Sequence, residues 1–299
     1  MKPLRVGLIH RDNPLIRPEQ RICGFWSYDV PELEVTHIHV VDKVIRFQRE
    51  DLAKAYDIIV YEDTKLFIEF GGKGAIPILY HIVDSTLSEG HYQNRLKECE
   101  QIDVILVEQD DLKRFTHLGK PTWRFNGCIN DRIFHDYGLE KTVDVSFYNK
   151  SFHKDAPGAW ERVEMRKQLG LFCAEKGLAY ACEHQDGIEY AKNFNRSKMT
   201  VNLCRVRGSR PYRTMDALGA KTCLLTDWIP IWEGDGRQAG MHYLVYENIT
   251  DLKEIILKLL ASGGWKDVSE VGYELVQAKH TWAQRAHELR ERIGEELHL

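Results

Sequence analysis

Between Arg196 and Arg213 the chain carries six cations, Arg196, Lys198, Arg205, Arg207, Arg210 and Arg213, with no acidic residue among them. They bracket the apolar run Thr200-Val201-Asn202-Leu203-Cys204, which reads as a strand, and end in the first turn of a helix expected to open at Pro211. A loop that leaves a strand and enters a helix is where a doubly wound sheet binds anions. Free backbone N–H groups and the positive end of the helix dipole meet there. Arginine forks match the oxygens of a phosphate at such a place. Asp216 follows Arg213 by three residues and so shares its helical face, where a carboxylate can accept ribose hydroxyls. The same residues also fit a solvated basic face with an intrahelical Arg213–Asp216 pair, and local pattern supports both readings.

A second set of reactive side chains closes another apolar run. His81, Asp84, Ser85 and Thr86 stand at the carboxyl end of the strand expected over 76–83, the end of an open sheet where ligands bind. Asp84 or His81 is a candidate base for an acceptor hydroxyl. The alternative is that Asp84 and Ser85 end the strand and cap a helix over 88–100. His10, Arg11, Asp12 and Asn13 follow the first apolar run, as a further ligand loop or as a turn pinned by Pro14. His37 and His39 share a strand face, but no third metal ligand is near them in sequence. The cluster Gly71-Gly72-Lys73-Gly74 lacks the spacing and the strand-to-helix position of a phosphate loop. It reads as a helix stop followed by a loop. Gly-x-Ser-x-Gly, Gly-x-Gly-x-x-Gly and His-Glu-x-x-His are all absent, which argues against a hydrolase elbow, an ordinary dinucleotide fingerprint and a zinc peptidase.

These residues need strands and helices to hold them. Near-continuous apolar runs at 4–9, 35–41, 57–61, 76–83, 103–107 and 122–125 read as strands buried on both faces, the pattern of a parallel sheet covered by helices. Helices are expected at 50–56, 64–70, 88–100 and 109–117. A second series has strands at 143–148, 178–182, 200–204 and 222–226. Its helices are expected at 160–176, 188–196, 211–218 and 252–260, with a broken helix over 265–289. Two such series predict an α/β chain of two Rossmann-like, doubly wound domains facing each other across a cleft. The expected division is 1–135 and 136–299, with the last helix crossing back to the N-terminal domain.

Bulk composition agrees. The 299 residues suit two domains, and 43% hydrophobic with 29% charged residues is ordinary globular usage. A formal net charge of -4 gives no whole-chain bias towards nucleic acid or membrane. Seven scattered cysteines without a C-x-x-C spacing argue against a zinc knuckle or a disulfide framework, and fit a reducing cytoplasmic setting. No leader peptide and no run near the length of a membrane span is read in the chain.

The order of short motifs over about 190–285 resembles the group 1 glycosyltransferases, especially the branch similar to spore-maturation glycosyltransferases. The residues that carry this are Arg196-Ser197-Lys198-Met199-Thr200-Val201-Asn202-Leu203, Arg213-Thr214-Met215-Asp216-Ala217-Leu218-Gly219-Ala220, Cys223-Leu224-Leu225-Thr226-Asp227, Tyr243-Leu244-Val245-Tyr246-Glu247-Asn248 and His280-Thr281-Trp282-Ala283-Gln284-Arg285. Asn126-Gly127-Cys128-Ile129-Asn130-Asp131-Arg132-Ile133-Phe134-His135 is similar to the family's interdomain segment. The resemblance implies a GT-B fold. It implies a nucleotide-sugar donor as co-substrate, with no cofactor or metal, held by the C-terminal domain. Donor contacts are then expected at Arg213 and Asp216, helped by Arg210 or Lys198, and base contacts at Glu183, His184 and Gly187. The acceptor is expected beside His10 and Asp84. Two departures stand out. Asp216 replaces the family's usual Glu, and Tyr148-Asn149-Lys150 replaces a Gly after the first donor-domain strand, so Lys150 would supply charge where backbone usually approaches the phosphates. The compact length also suits a viral enzyme that glycosylates hydroxymethylated bases, which makes DNA a possible acceptor. A non-catalytic nucleotide-binding module is the other alternative.

Overall fold

The computed structural model describes residues 2–11, 31–40, 44–62, 67–72, 74, 76–82, 89–107, 112–125, 127–148, 159–183, 187–204, 212–227 and 236–298. The chain divides into two compact units, 1–126 with 282–299, and 127–281. The first unit opens with β1 (Leu4–Arg11), β2 (Leu33–Val40), β3 (Val44–Gln48), α1 (Arg49–Ala55), β4 (Ile58–Glu62), β5 (Phe67–Gly71) and β6 (Ile78–Ile82). It continues with α2 (Glu89–Cys99), β7 (Val104–Val107), α3 (Leu112–Phe115) and β8 (Thr122–Arg124). Six strands form one parallel sheet in the order β2-β1-β4-β6-β7-β8. Every residue of β6 and β7 is buried, as an interior parallel strand requires. Ile59, Tyr61, Tyr80, Ile82, Ile105 and Val107 turn one face of the sheet into a core with Leu52, Tyr92, Cys99 and Phe115.

One expected element is corrected. The helix expected over 64–70 is the strand β5, which pairs in parallel with β3, a strand that periodicity does not reveal. Phe67, Ile68 and Phe70 are aromatic or β-branched, types that lose side-chain freedom in a helix and pack well on a pleated surface. Phe70 stacks on Phe47 at 6.1 Å, and its N–H donates to Gln101 Oε1 at 2.7 Å. The glycine cluster therefore ends a strand rather than a helix, and Gly72 adopts φ +83° as it turns away.

The second unit contains β9 (Val143–Ser146), α4 (Ala159–Lys176), β10 (Tyr180–Ala181), α5 (Gly187–Arg196) and β11 (Ser197–Asn202). It goes on to α6 (Tyr212–Gly219), β12 (Cys223–Thr226), β13 (Leu244–Val245), α7 (Ile249–Ser262) and α8 (Trp265–Lys279). Its five strands are parallel, in the order β10-β9-β11-β12-β13. Asn248 caps α7, its side chain accepting from the N–H groups of Thr250 and Asp251. After a break at His280-Thr281, α9 (Trp282–Leu297) rejoins the first unit. There the Trp123 indole donates to Glu296 Oε2 at 2.6 Å.

The units divide after residue 126, earlier than the expected 135. Residues 127–135 pack on the second unit: Ile129 N–H donates to the His280 carbonyl at 2.9 Å, and Phe134 meets Tyr190 edge-on at 6.2 Å.

α6 and α8 pack against each other, and Gly272 of α8 makes the close approach possible. A Cβ there would stand 2.7 Å from the His242 carbonyl oxygen and 2.8 Å from Leu218 Cδ2. Gly272→Val should therefore destabilise the second unit by about 1–3 kcal/mol, the usual cost of overpacking. Urea unfolding followed by circular dichroism measures it, and an unchanged midpoint would contradict the packing described.

Candidate functional site

Strand alternation decides which side chains can reach a ligand. In β9, β11 and β12, the residues Val145, Met199, Val201, Cys223 and Leu225 join Leu169 and Phe172 of α4 and Leu252 and Ile256 of α7 in one core. Their neighbours in sequence, Ser146, Thr200, Asn202, Leu224 and Thr226, then face the opposite side. That side is covered by α5, α6 and α8, which pack on one another and on β11 and β12. The strand order reverses between β9 and β11, so the ligand crevice of this sheet is expected outside the carboxyl ends of those two strands.

Arg213, in the first turn of α6, stands at that crevice. Its Nη1 lies 3.5 Å from the Tyr148 carbonyl, just beyond β9. The guanidinium therefore points across the strand ends rather than out into solvent. Burial pushes its pKa down, against the pull of Tyr190, Cys204, Asp216 and Asp227. Asp216 is 3% exposed. Burial holds its carboxyl well above the usual carboxylate range, with Arg213 acting in the opposite direction. Every residue from Thr214 to Gly219 is buried, so α6 fixes both side chains firmly.

A second arginine comes from the other helix that enters this end of the sheet. Arg162 lies in the first turn of α4, and its Nε and Nη2 donate to the Leu203 carbonyl at 3.3 and 3.2 Å. Around the exit of β11 the Tyr246 hydroxyl donates to the Asn202 carbonyl at 2.7 Å, and Cys204 N–H donates to Asp227 Oδ1 at 2.9 Å. The sequence reading gives no site role to Arg162, nor to Asn202, Asp227 and Tyr246, which stand only within the motifs that carry the resemblance. Arg162 carries the same signal as Arg213, a cation in the first turn of a helix that follows a strand. Asn202 is a polar residue closing an apolar strand. For Tyr246 and Asp227 only the strand pairing brings them to β11.

The other expected site residues fall in different places. Lys198 binds Asp144 Oδ1 at 2.6 Å, near the amino ends of β11 and β9. It lies four residues before Asn202, about 13 Å away at the rise of a strand. The structure therefore does not bring it to Arg213. Glu183 is exposed after β10, and Gly187 opens α5 with φ +64°. Helix α5 packs beside α6. Tyr148, at the position of the departure from glycine, is 3% exposed and packs edge-on against Phe194 at 5.2 Å. Its side chain belongs to the core. His81 is 2% exposed and meets Phe125 edge-on at 4.9 Å, so it lies within the sheet of the first unit rather than at an open rim. Asp84, Lys150, His184 and Arg210 lie outside the described residues, as do Arg205 and Arg207. Among the described residues no group of three or more His, Cys, Asp or Glu is arranged to hold a metal ion, and no helix is long and apolar enough to cross a membrane.

Because Asp216 has a raised pKa when folded, the folded chain holds its proton more tightly than the unfolded chain. The associated stability is fully present below the unfolded pKa of about 4 and is lost as pH rises through the folded value. Asp216→Asn cannot ionise. It should raise the melting temperature relative to wild type near neutral pH, with the gain vanishing towards about pH 4. Thermal unfolding across that range checks it; a gain independent of pH would show that burial of the charge is not the cause.

Residues 155–291 match the family model described as glycosyl transferase-like. No curated protein sequence matches the chain significantly. Sucrose-phosphate synthase from Thermosynechococcus elongatus is similar in structure, with a TM-score of 0.58 at 12% identity over 99% of both chains. The Anabaena HepE protein, in complex with UDP-glucose, gives a TM-score of 0.61 at 8% identity over 98% of this chain and 100% of that one. TarM gives 0.57 at 10% identity over 78% of this chain and 54% of its own. These structures share their fold with this chain, parallel α/β units of the GT-B type, and the glycosyl transferase-like sequence lies over residues 155–291.

Proposed function

We propose that the protein transfers a sugar from a nucleoside diphosphate sugar to an acceptor hydroxyl, with the donor held on the second unit. The observation that carries this reading is Arg213, a cation fixed by a buried helix across the carboxyl ends of β9 and β11. In glycosyl transfer the bond between the anomeric carbon and a phosphate oxygen breaks. The electron pair leaves with the diphosphate, and the acceptor oxygen takes the carbon and gives up its proton. Negative charge grows on the leaving group, so a positioned cation stabilises the transition state more than the ground state. Arg213 takes this role, with Arg210 as a second cation in the same stretch.

Asp216 lies one turn further into α6 and takes a ribose hydroxyl, an assignment that accords with its burial beside Arg213. The segment from Glu183 to Gly187 takes the base, and α5 brings its first turn to the side of α6. Lys198 is left out of the donor site because Asp144 occupies it at the far end of the strand. The nucleotide sugar is a co-substrate, and the reaction so written uses no further cofactor. The complexes of HepE with UDP-glucose and with UDP make uridine nucleotides the first to try.

Calorimetric titration with UDP, ADP, GDP and TDP, and with their glucose conjugates, tests the reading. One diphosphate should bind, and Arg213→Ala should weaken it by about 10- to 100-fold, the loss of a charge-assisted contact to phosphate. Wild-type protein that binds none of them at millimolar concentration would rule out the donor site placed here.

A further inference from the structure

The chain leaving β11 is tied on one polar atom after another. The carbonyl of Asn202 is held by Tyr246, that of Leu203 by Arg162, and the N–H of Cys204 by Asp227. One atom stands outside this set. Asn202 Oδ1, on a residue that is 0% exposed, has no hydrogen-bond partner among the described residues. Buried acceptors are nearly always satisfied, so one left open among satisfied neighbours calls for a cause.

The direction of the amide follows from its neighbours. The Asp227 carboxylate only accepts, and the Thr226 hydroxyl lies 3.3 Å from its Oδ1. Thr226 therefore donates to Asp227, and its oxygen accepts from Asn202 Nδ2 at 2.9 Å. Asn202 Nδ2 also approaches Cys204 Sγ at 3.5 Å. With the NH2 group committed, the carbonyl of the amide is the free end. Alternation places the side chain on the face that α6 covers, at the last residue of β11, beside the reversal of strand order.

We propose that Asn202 Oδ1 recognises the donor by accepting a hydrogen bond from one of its hydroxyls, with Thr226 and Asp227 as the pair that keeps the amide turned. The inference rests on the glycosyl-transfer reading above. Phosphate oxygens only accept, so they cannot fill this position; a ribose or sugar hydroxyl can. The bare diphosphate carries the ribose hydroxyls alone, and the nucleotide sugar carries both kinds.

Asn202→Leu, Asn202→Ala and Thr226→Val are compared with wild type by melting temperature without ligand and by calorimetry with UDP, ADP, GDP and TDP and their glucose conjugates. Asn202→Leu removes the open acceptor at similar volume and should melt within a few degrees of wild type, while its affinity for the nucleotide sugar falls about tenfold. An equal loss for the bare diphosphate assigns the hydroxyl to ribose, and an unchanged diphosphate assigns it to the transferred sugar. Thr226→Val lets the amide turn and should give a smaller loss in the same direction. Unchanged affinity in a folded Asn202 variant overturns the inference, as does a large drop in melting temperature with no ligand-dependent loss. If neither Asn202 variant folds, Thr226→Val decides, and wild-type affinity in it overturns the inference. A wild-type protein that binds nothing in the panel removes the transfer reading, and the inference with it.

Discussion

A guanidinium drawn into a protein interior loses hydration that only oxygen ligands and opposite charge replace. Arg213 meets that constraint at the carboxyl ends of a parallel sheet, with the Tyr148 carbonyl at 3.5 Å and the carboxyl groups of Asp216 and Asp227 nearby. The arrangement depends on α6, whose later residues are buried without exception, and on α8, which packs on β12 and approaches α6 closely at Gly272. Asp216 bears part of the cost, since the same burial raises its pKa. The same burial thus acts on both side chains, lowering the pKa of the guanidinium and raising that of the carboxyl.

The two ends of this sheet are finished differently. At the amino ends, Lys141 Nζ donates to the Ser197 carbonyl at 3.0 Å and to that of Lys221 at 2.7 Å. Burial pushes the pKa of this lysine down to about 8. Asn195 accepts from Leu139 N–H and donates to the Ala220 carbonyl, and Lys198 is paired with Asp144. These groups satisfy one another and hold the framework. At the carboxyl ends, arginines from α4 and α6 reach the Leu203 and Tyr148 carbonyls, and the buried Asn202 Oδ1 has no hydrogen-bond partner among the described residues. Open α/β sheets place ligands at that end, so unsatisfied and charged groups collect where binding can compensate them.

The first unit repeats the topology with a different inventory. Its sheet also reverses order beside its first strand, between β1 and β4. Its described interior is apolar and aromatic, with Tyr61 stacked on Tyr80 at 4.8 Å and His81 packed on Phe125. The small parallel pair β3–β5 lies outside the main sheet. His81 at a strand end thus belongs to packing in the first unit, while Arg213 at the start of α6 reaches the carbonyl beyond β9 in the second.

The amino-acid sequence by itself determined the alternation of apolar runs with helical segments, hence the two parallel series. It also determined the place of Arg213 and Asp216 on one helix face, since three residues apart is fixed by helical geometry. Long-range pairing lay beyond it. The aromatic segment over 67–71 is a strand because β3 is there to pair with it, which no window of sequence contains. Lys198 and Arg213 look equivalent in a run of cations, yet Asp144, 54 residues away in sequence, claims one, and the strand separates the two by its length. Asn202 becomes notable only when Thr226 and Asp227 orient its amide from a neighbouring strand. Local periodicity specifies which face a side chain takes. Which partner meets it there is decided by contacts between segments far apart in the chain, and these exist only in the folded structure.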